Sequence, residues 1–243
     1  MMAALQWLRS LLFVAQIYPM MALMALWFTP QVPFRREAAF DAVHCWCRWV
    51  RWSARWMLGL HSEVRGEVPT GEVLIASKHQ SFFDIILIVS VVPRPKFIMK
   101  KELLRAPILG WYAVKIGCVP VDRGKRGQAI SQMLADVRSG AAEPGQLIIY
   151  PQGTRVAPGA DMPYKAGTGI LYGQLGQPCV PAGTNVGLFW PRRGILRKPG
   201  LAVVEFLPAI EPGKPMPEFM AELEAVVEAS SDRLMAEAGY LPR

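Results

Sequence analysis

The sequence predicts an α/β fold: a largely parallel central sheet flanked by helices, with an N-terminal membrane-associated helical pair. Three observations lead there. From about residue 64, short apolar runs alternate with longer helix-like stretches, the pattern of parallel strands joined by crossover helices. Before that point the texture differs: 11–28 is apolar and uncharged, and 38–60 reads as a helix with no Pro or Gly before Gly59. With 243 residues, 52% of them hydrophobic, the chain is long enough for one domain and an appendage but not apolar enough for a multi-span protein. The expected division is 1–62 for the anchoring helices and 63–243 for the α/β domain.

The run 11–28, LLFVAQIYPMMALMALWF, would form a helix about 27 Å long, close to the roughly 30 Å of a bilayer's hydrocarbon core. A cleaved leader, a single span and a monotopic or re-entrant insertion are three ways to use it. No small-residue cleavage site follows, and Pro19 in mid-run would kink the helix. In the next helix Arg48, Arg51 and Arg55 share one face, and Trp49, Trp52 and Trp56 share a neighbouring one. Indole rings beside guanidinium groups suit the headgroup layer of an anionic membrane; a soluble helix with a Trp-rich core face is the plainer reading. Arg9 precedes the apolar run and Arg35-Arg36 follow it, so orientation stays open. Farther on, strands are expected at 72–77 (EVLIAS), 96–99 (KFIM), 118–121 (CVPV), 146–150 (QLIIY), 179–183 (CVPAG) and 201–206 (LAVVEF). Helices are expected at 84–91, 101–115, 127–138, 166–175 and 217–238.

The net charge of +8 favours anionic partners: nucleic acid, an anionic membrane face or phosphorylated substrates. No nucleic-acid-binding motif accompanies the charge, and the arginines gather beside tryptophan and the apolar run, so nucleic acid is not an expected partner. Cys45, Cys47, Cys118 and Cys179 have no zinc-like spacing and read as reduced thiols.

Polar residues collect just past three expected strands. His79 follows 72–77, Asp122 and Arg123 follow 118–121, and Gln152, Gly153, Thr154 and Arg155 follow 146–150. Open α/β sheets bind ligands at strand C-termini. Alone, a His beside an Asp, an Asp-Arg turn or a Gly-Thr-Arg turn is an ordinary structural feature. Together, after three strands, they predict one pocket. Neutral imidazole is available as a base near pH 7, and Asp84 could turn back to hold its other nitrogen. No GxSxG elbow supplies a nucleophile, which suggests that the substrate brings a hydroxyl to be deprotonated. The arginine forks and the Gly-Thr backbone suit a phosphate.

These blocks resemble the 1-acylglycerol-3-phosphate O-acyltransferase (PlsC-like glycerolipid acyltransferase) family. His79-Gln80-Ser81-Phe82-Phe83-Asp84 is similar to the family's HX4D dyad. Residues 117–123 look like its Asp-Arg block, 150–155 (YPQGTR) like its Phe-Pro-Glu-Gly-Thr-Arg block, and 179–182 like its proline-bearing strand. Lys101-Glu102-Leu103 is similar too. The likeness covers about 65–210. Gln152 stands where the family usually has Glu, and Lys78 where Asn is common; the lysine would add positive charge beside the base or contact an anionic substrate.

The resemblance implies an enzyme of phospholipid biosynthesis that moves a fatty acyl group from acyl-CoA or acyl-ACP (acyl carrier protein) to the 2-hydroxyl of lysophosphatidic acid. His79 would take the proton and Asp84 would orient His79. Arg155, Gly153, Thr154 and Arg123 would hold the phosphate, Asp122 and Gln152 would shape the pocket, and Pro181 would support its wall. No metal or cofactor is expected. The implied partners are a lysophospholipid acceptor, the acyl donor and membrane lipids, at the cytoplasmic face of a bacterial inner membrane. Another lysolipid such as lyso-ornithine lipid, a thioester hydrolase activity, or a non-catalytic lipid-binding module are the alternatives.

Overall fold

The computed structural model describes residues 2–121, 131, 134 and 144–240. Helix α1, Met2–Phe28, runs unbroken through Pro19. Helix α2, Glu37–Leu58, packs antiparallel on it, as paired hydrogen bonds show. Gln6 Nε2 donates to Leu58 O (3.1 Å), Gln16 Nε2 to Ser53 Oγ (3.1 Å), and Trp46 Nε1 to Ile17 O (3.0 Å). Gly59 ends α2 with φ 67°, and its N–H bonds Ala54 O and Arg55 O; a glycine tolerates that left-handed turn without cost from a side chain. The Trp and Arg stripes divide. Trp52 and Trp56 stay exposed, while Trp49 turns to α1 and donates to Gln16 Oε1 (2.8 Å). Arg51 turns to the body, where Ser62 and Ser90 accept from it, and burial holds its pKa below the usual range.

Among the described residues, seven strands form one sheet in the order β1-β7-β6-β2-β5-β3-β4. They are β1 (Leu60–Arg65), β2 (Val73–Ser77), β3 (Pro95–Lys100), β4 (Val119–Val121), β5 (Gln146–Ile149), β6 (Cys179–Thr184) and β7 (Gly200–Phe206). The sheet is largely parallel, as expected, with one antiparallel pairing between β6 and β7. Because β1 runs parallel to β7, both point against the rest. Their beginnings therefore lie at the sheet end where β2, β5 and β6 finish. Strand β1 was not anticipated; LHSEVR mixes polar and apolar residues at a sheet edge.

Helices α3 (Phe82–Val89), α4 (Pro107–Lys115), α5 (Gly167–Leu175) and α6 (Met216–Glu237) cover the sheet. The expected helix 101–115 is divided: a 3-10 turn, Lys101–Arg105, precedes α4, and Ala106 is extended before Pro107. Of 127–138, only Ser131 and Leu134 lie among the described residues, both helical. The N-terminal helices share their core with the sheet: Phe13, Ile17, Val50, Ala54 and Leu58 pack in one cluster with Ile75, Phe83, Ile148 and Trp190. Such burial is the main source of stability. Cys47, Cys118 and Cys179 are buried, and burial pushes their thiols up, Cys118 to about 11 and Cys179 to about 12.

Candidate active site

The spacing between His79 and Asp84 follows from how α3 begins. Ser81 is the N-cap, and its Oγ accepts from Phe83 N (3.1 Å). Asp84, at N3, returns its Oδ2 to the N–H groups of Gln80 (2.8 Å) and Ser81 (2.7 Å), completing a capping box. Its other oxygen, Oδ1, lies 2.9 Å from His79 Nδ1. An ionised carboxylate only accepts, so Nδ1 carries the proton and Nε2 keeps the lone pair. Asp84 is fully buried, and the His79 side chain keeps 13% of its surface. The pair is an oriented base facing outward. Neither nearby serine is free as its nucleophile: Ser77 Oγ donates to Lys78 O (2.9 Å), and Ser81 Oγ caps the helix.

The turn after β5 is joined to this loop. Val156 N donates to His79 O (2.7 Å), which ties the turn carrying Gln152, Gly153, Thr154 and Arg155 to the backbone that bears the imidazole. Gly153 has φ 69°, and a Cβ there would come within 2.8 Å of Lys165 Nζ, so a second cation sits over the turn. Arg155 Nη1 donates to Arg192 O (3.2 Å), and Arg192 Nη1 to Arg155 O (3.2 Å). Gln80 locks the loop from behind: its Oε1 accepts from Gly187 N (2.9 Å).

An acyltransferase family model matches residues 61–185, the segment that holds both the dyad and the turn. The chain is 30% identical over 216 residues to the 1-acyl-sn-glycerol-3-phosphate acyltransferase of Pseudomonas aeruginosa, covering 88% of this chain and 84% of that one. The chain belongs to the acyltransferase family. The acyltransferase is also 33% identical to the mouse 1-acyl-sn-glycerol-3-phosphate acyltransferase alpha, over 53% of this chain and 46% of that protein. Its fold matches the crystal structure of the 1-acyl-sn-glycerophosphate acyltransferase PlsC from Thermotoga maritima, with TM-score 0.76, 20% identity and 94% and 98% coverage of the two chains.

Within the acyltransferase the expected residues fall unevenly. His79, Asp84, Gln152, Gly153, Thr154 and Arg155 come together at one sheet end. Asp122 and Arg123 lie outside the described residues. Pro181 is buried in β6 opposite Ala76, three residues before His79, and its carbonyl accepts from Leu207 N (2.9 Å). Gln152 is 2% exposed and donates from Nε2 to Met162 O (3.1 Å), so its amide braces the turn through a bond that a carboxylate cannot make. Lys78 does not face the pocket. It is 3% exposed, and its Nζ lies 2.7 and 2.5 Å from the two Glu228 oxygens on α6. Among the described residues no cluster of His, Cys, Asp and Glu is placed to hold a metal ion.

Two residues escaped sequence reasoning. Tyr150 stacks on His79 with ring centroids 3.9 Å apart and planes 19° apart, and its far side meets Phe97. Its buried hydroxyl has no hydrogen-bond partner among the described residues, and burial, then the Asp84 charge, push its pKa well up. The signal was the aromatic residue closing 146–150, which read as an ordinary strand end. Glu228 is the other; it also accepts from Tyr164 OH (2.9 Å). Nothing in α6's sequence marks it, because its partner Lys78 stands far away in the chain.

Proposed function

We propose that this acyltransferase transfers a fatty acyl group from acyl-CoA or acyl carrier protein to the 2-hydroxyl of lysophosphatidic acid, giving phosphatidic acid. The observation that carries the reading is the oriented His79–Asp84 pair, beside which the hydroxyls of Ser77 and Ser81 are both engaged elsewhere. The similarity to a 1-acyl-sn-glycerol-3-phosphate acyltransferase over 88% of the chain supports the same substrate class. His79 Nε2 takes the acceptor's hydroxyl proton as that oxygen attacks the thioester carbonyl. Asp84 holds the imidazolium that forms, and the proton passes to the leaving thiol. Arg155, with Gly153, Thr154 and Arg123, holds the glycerol phosphate; Asp122 and Gln152 shape the pocket, and Pro181 backs its wall. The reaction needs no metal or prosthetic group in this scheme.

The site works at a membrane. One helix among the described residues, within 3–31, is long and apolar enough to cross a bilayer, and Trp7, Leu8, Leu12, Leu26 and Trp27 on α1 are exposed. The anchoring helices of 1–62 and the catalytic unit of 63–243, joined through β1 and a shared core, lie at the cytoplasmic face of a bacterial inner membrane.

The test is acyl transfer by detergent-purified protein to lysophosphatidic acid, lyso-ornithine lipid and lysophosphatidylcholine, each with both donors. His79→Ala should lower turnover by at least about a hundredfold, the usual share of a general base. Activity near wild type in that variant, with a normal melting curve, would refute the mechanism. His79-dependent product from lyso-ornithine lipid alone would reassign the acceptor.

A further inference from the structure

The segment 190–199, WPRRGILRKP, is a closed loop built around a buried arginine. Lys198 N donates to Phe189 O (2.8 Å) and closes its base. Arg197 is 8% exposed. Its guanidinium lies 4.4 Å from the Trp190 ring centroid, and Nη1 donates to the carbonyls of Gly194 (2.8 Å), Ile195 (3.1 Å) and Leu196 (3.3 Å). Trp190 is anchored in turn between Phe83 (5.0 Å, stacked) and Phe13 of α1 (5.5 Å, edge-on). The loop is therefore held in one shape. What it presents outward is Arg192, Arg193, Ile195 and Leu196, with no acidic residue anywhere in 190–199.

Its place matters as much as its shape. The loop leads into β7, which runs against β6, so it opens at the sheet end that holds His79. It is fastened to the first turns of α1: Gln6 Nε2 donates to Arg197 O (2.9 Å), and Arg197 N donates to Ser10 Oγ (2.9 Å). Around those turns, Leu5, Leu8 and Leu12 are each about half exposed, at 51%, 49% and 53%. On its other side the loop meets the site through the reciprocal Arg155–Arg192 hydrogen bonds.

We infer that 190–199 is a second membrane-contacting element, inserting Ile195 and Leu196 among the lipids while Arg192 and Arg193 meet anionic headgroup phosphates. The occupant is a bilayer surface because the face pairs unopposed cations with exposed aliphatic tips and continues the apolar face of α1. The inference rests on the membrane reading above and adds a consequence to it. Lipid contact at the loop places Arg155, through Arg192, at the level where a lysolipid's phosphate lies. Docking and acceptor capture are then one event.

The experiment uses the full chain reconstituted with vesicles of phosphatidylglycerol and phosphatidylcholine, or of phosphatidylcholine alone. The variant is Ile195→Ser with Leu196→Ser, which leaves Arg192 and Arg155 in place. Transfer to vesicle-borne lysophosphatidic acid should fall about tenfold, the effect expected when two aliphatic side chains no longer leave water. Transfer to a water-soluble, short-chain lysophosphatidic acid without vesicles should change less than about twofold. In the wild type, amide hydrogen exchange across 192–196 should slow when phosphatidylglycerol vesicles are added. Exchange that is indifferent to vesicles, or equal rates for variant and wild type on the vesicle-borne acceptor, overturns the role of the loop. If both acceptors suffer equally, the exchange result decides. A wild-type chain that fails to sediment with any vesicle overturns instead the membrane reading beneath it.

Discussion

Asp84 has two duties at once. It completes the cap of α3 and fixes the tautomer of His79, so one carboxylate sets both where the helix starts and how the base points. This is why four residues separate the pair; that part of the site was legible because His79 follows an expected strand and Asp84 opens an expected helix. Gln152 was less legible. It stood out only as a departure from Glu in a pocket-shaping position, whereas its amide is spent on Met162 O. Gln152→Glu should therefore lower stability by about 1–3 kcal/mol, since a buried carboxylate would face a carbonyl; a denaturant melt reads it directly. Tyr150 invites a paired substitution. Tyr150→Phe removes an unpartnered hydroxyl and keeps the stack, so stability should rise by about 1 kcal/mol with turnover nearly unchanged. Tyr150→Leu should lower kcat, because the imidazole then loses its stacked ring and keeps only the Asp84 hydrogen bond. His44 supplies the pH dependence. Its imidazole is half-buried with Nε2 3.0 Å from Val92 O, and burial lowers its pKa from the usual 6.5. The unfolded chain thus takes up that proton first. The stabilising contribution is present above about pH 6.5 and is lost as pH falls below it. Thermal melts from pH 8 to pH 5 should show the decline, and His44→Gln should flatten it.

At the scale of elements, the strands behind the site were readable because each is a short apolar run bounded by turn residues. What joins them was not. Helix α6 was expected as a plain amphipathic helix, yet Glu228 on it receives Lys78 from the residue directly before His79, together with Tyr164. Gly183 lets the same helix lie close on β6: an added Cβ would fall 2.4 Å from Ser230 Oγ. Gly183→Ala should push α6 off the sheet and cost about 1–3 kcal/mol. Its effect should reach catalysis, since the displaced Glu228 drags Lys78 and the dyad loop with it. A variant that loses stability but keeps kcat would show that α6 only covers the sheet. The split of 101–115 at Ala106-Pro107 has a plain sequence signal, as the residue before a proline avoids helix.

At the scale of the molecule, anchor and catalytic body are not separable layers. Phe13 and Ile17 of α1 belong to the cluster that includes Phe83 and Trp190, so removing α1 would strip the core under the dyad as well as the anchor. Composition announces an apolar N-terminus but not that Phe13 and Ile17 on it face the core while most of the helix stays exposed. The membrane role is better tested on the outer face alone. Replacing Leu5, Leu8 and Leu12 with serine should move the protein from the membrane pellet towards the supernatant while its melting temperature changes little. The four thiols add a practical consequence. Three lie sealed in the interior and resist ionisation, whereas Cys45 sits half-buried on α2, beside the helix that meets the lipid. A thiol-directed dye applied to the native chain at neutral pH should thus mark one position. A dye fixed there would report whether that face of α2 stays in water or enters lipid when vesicles are added.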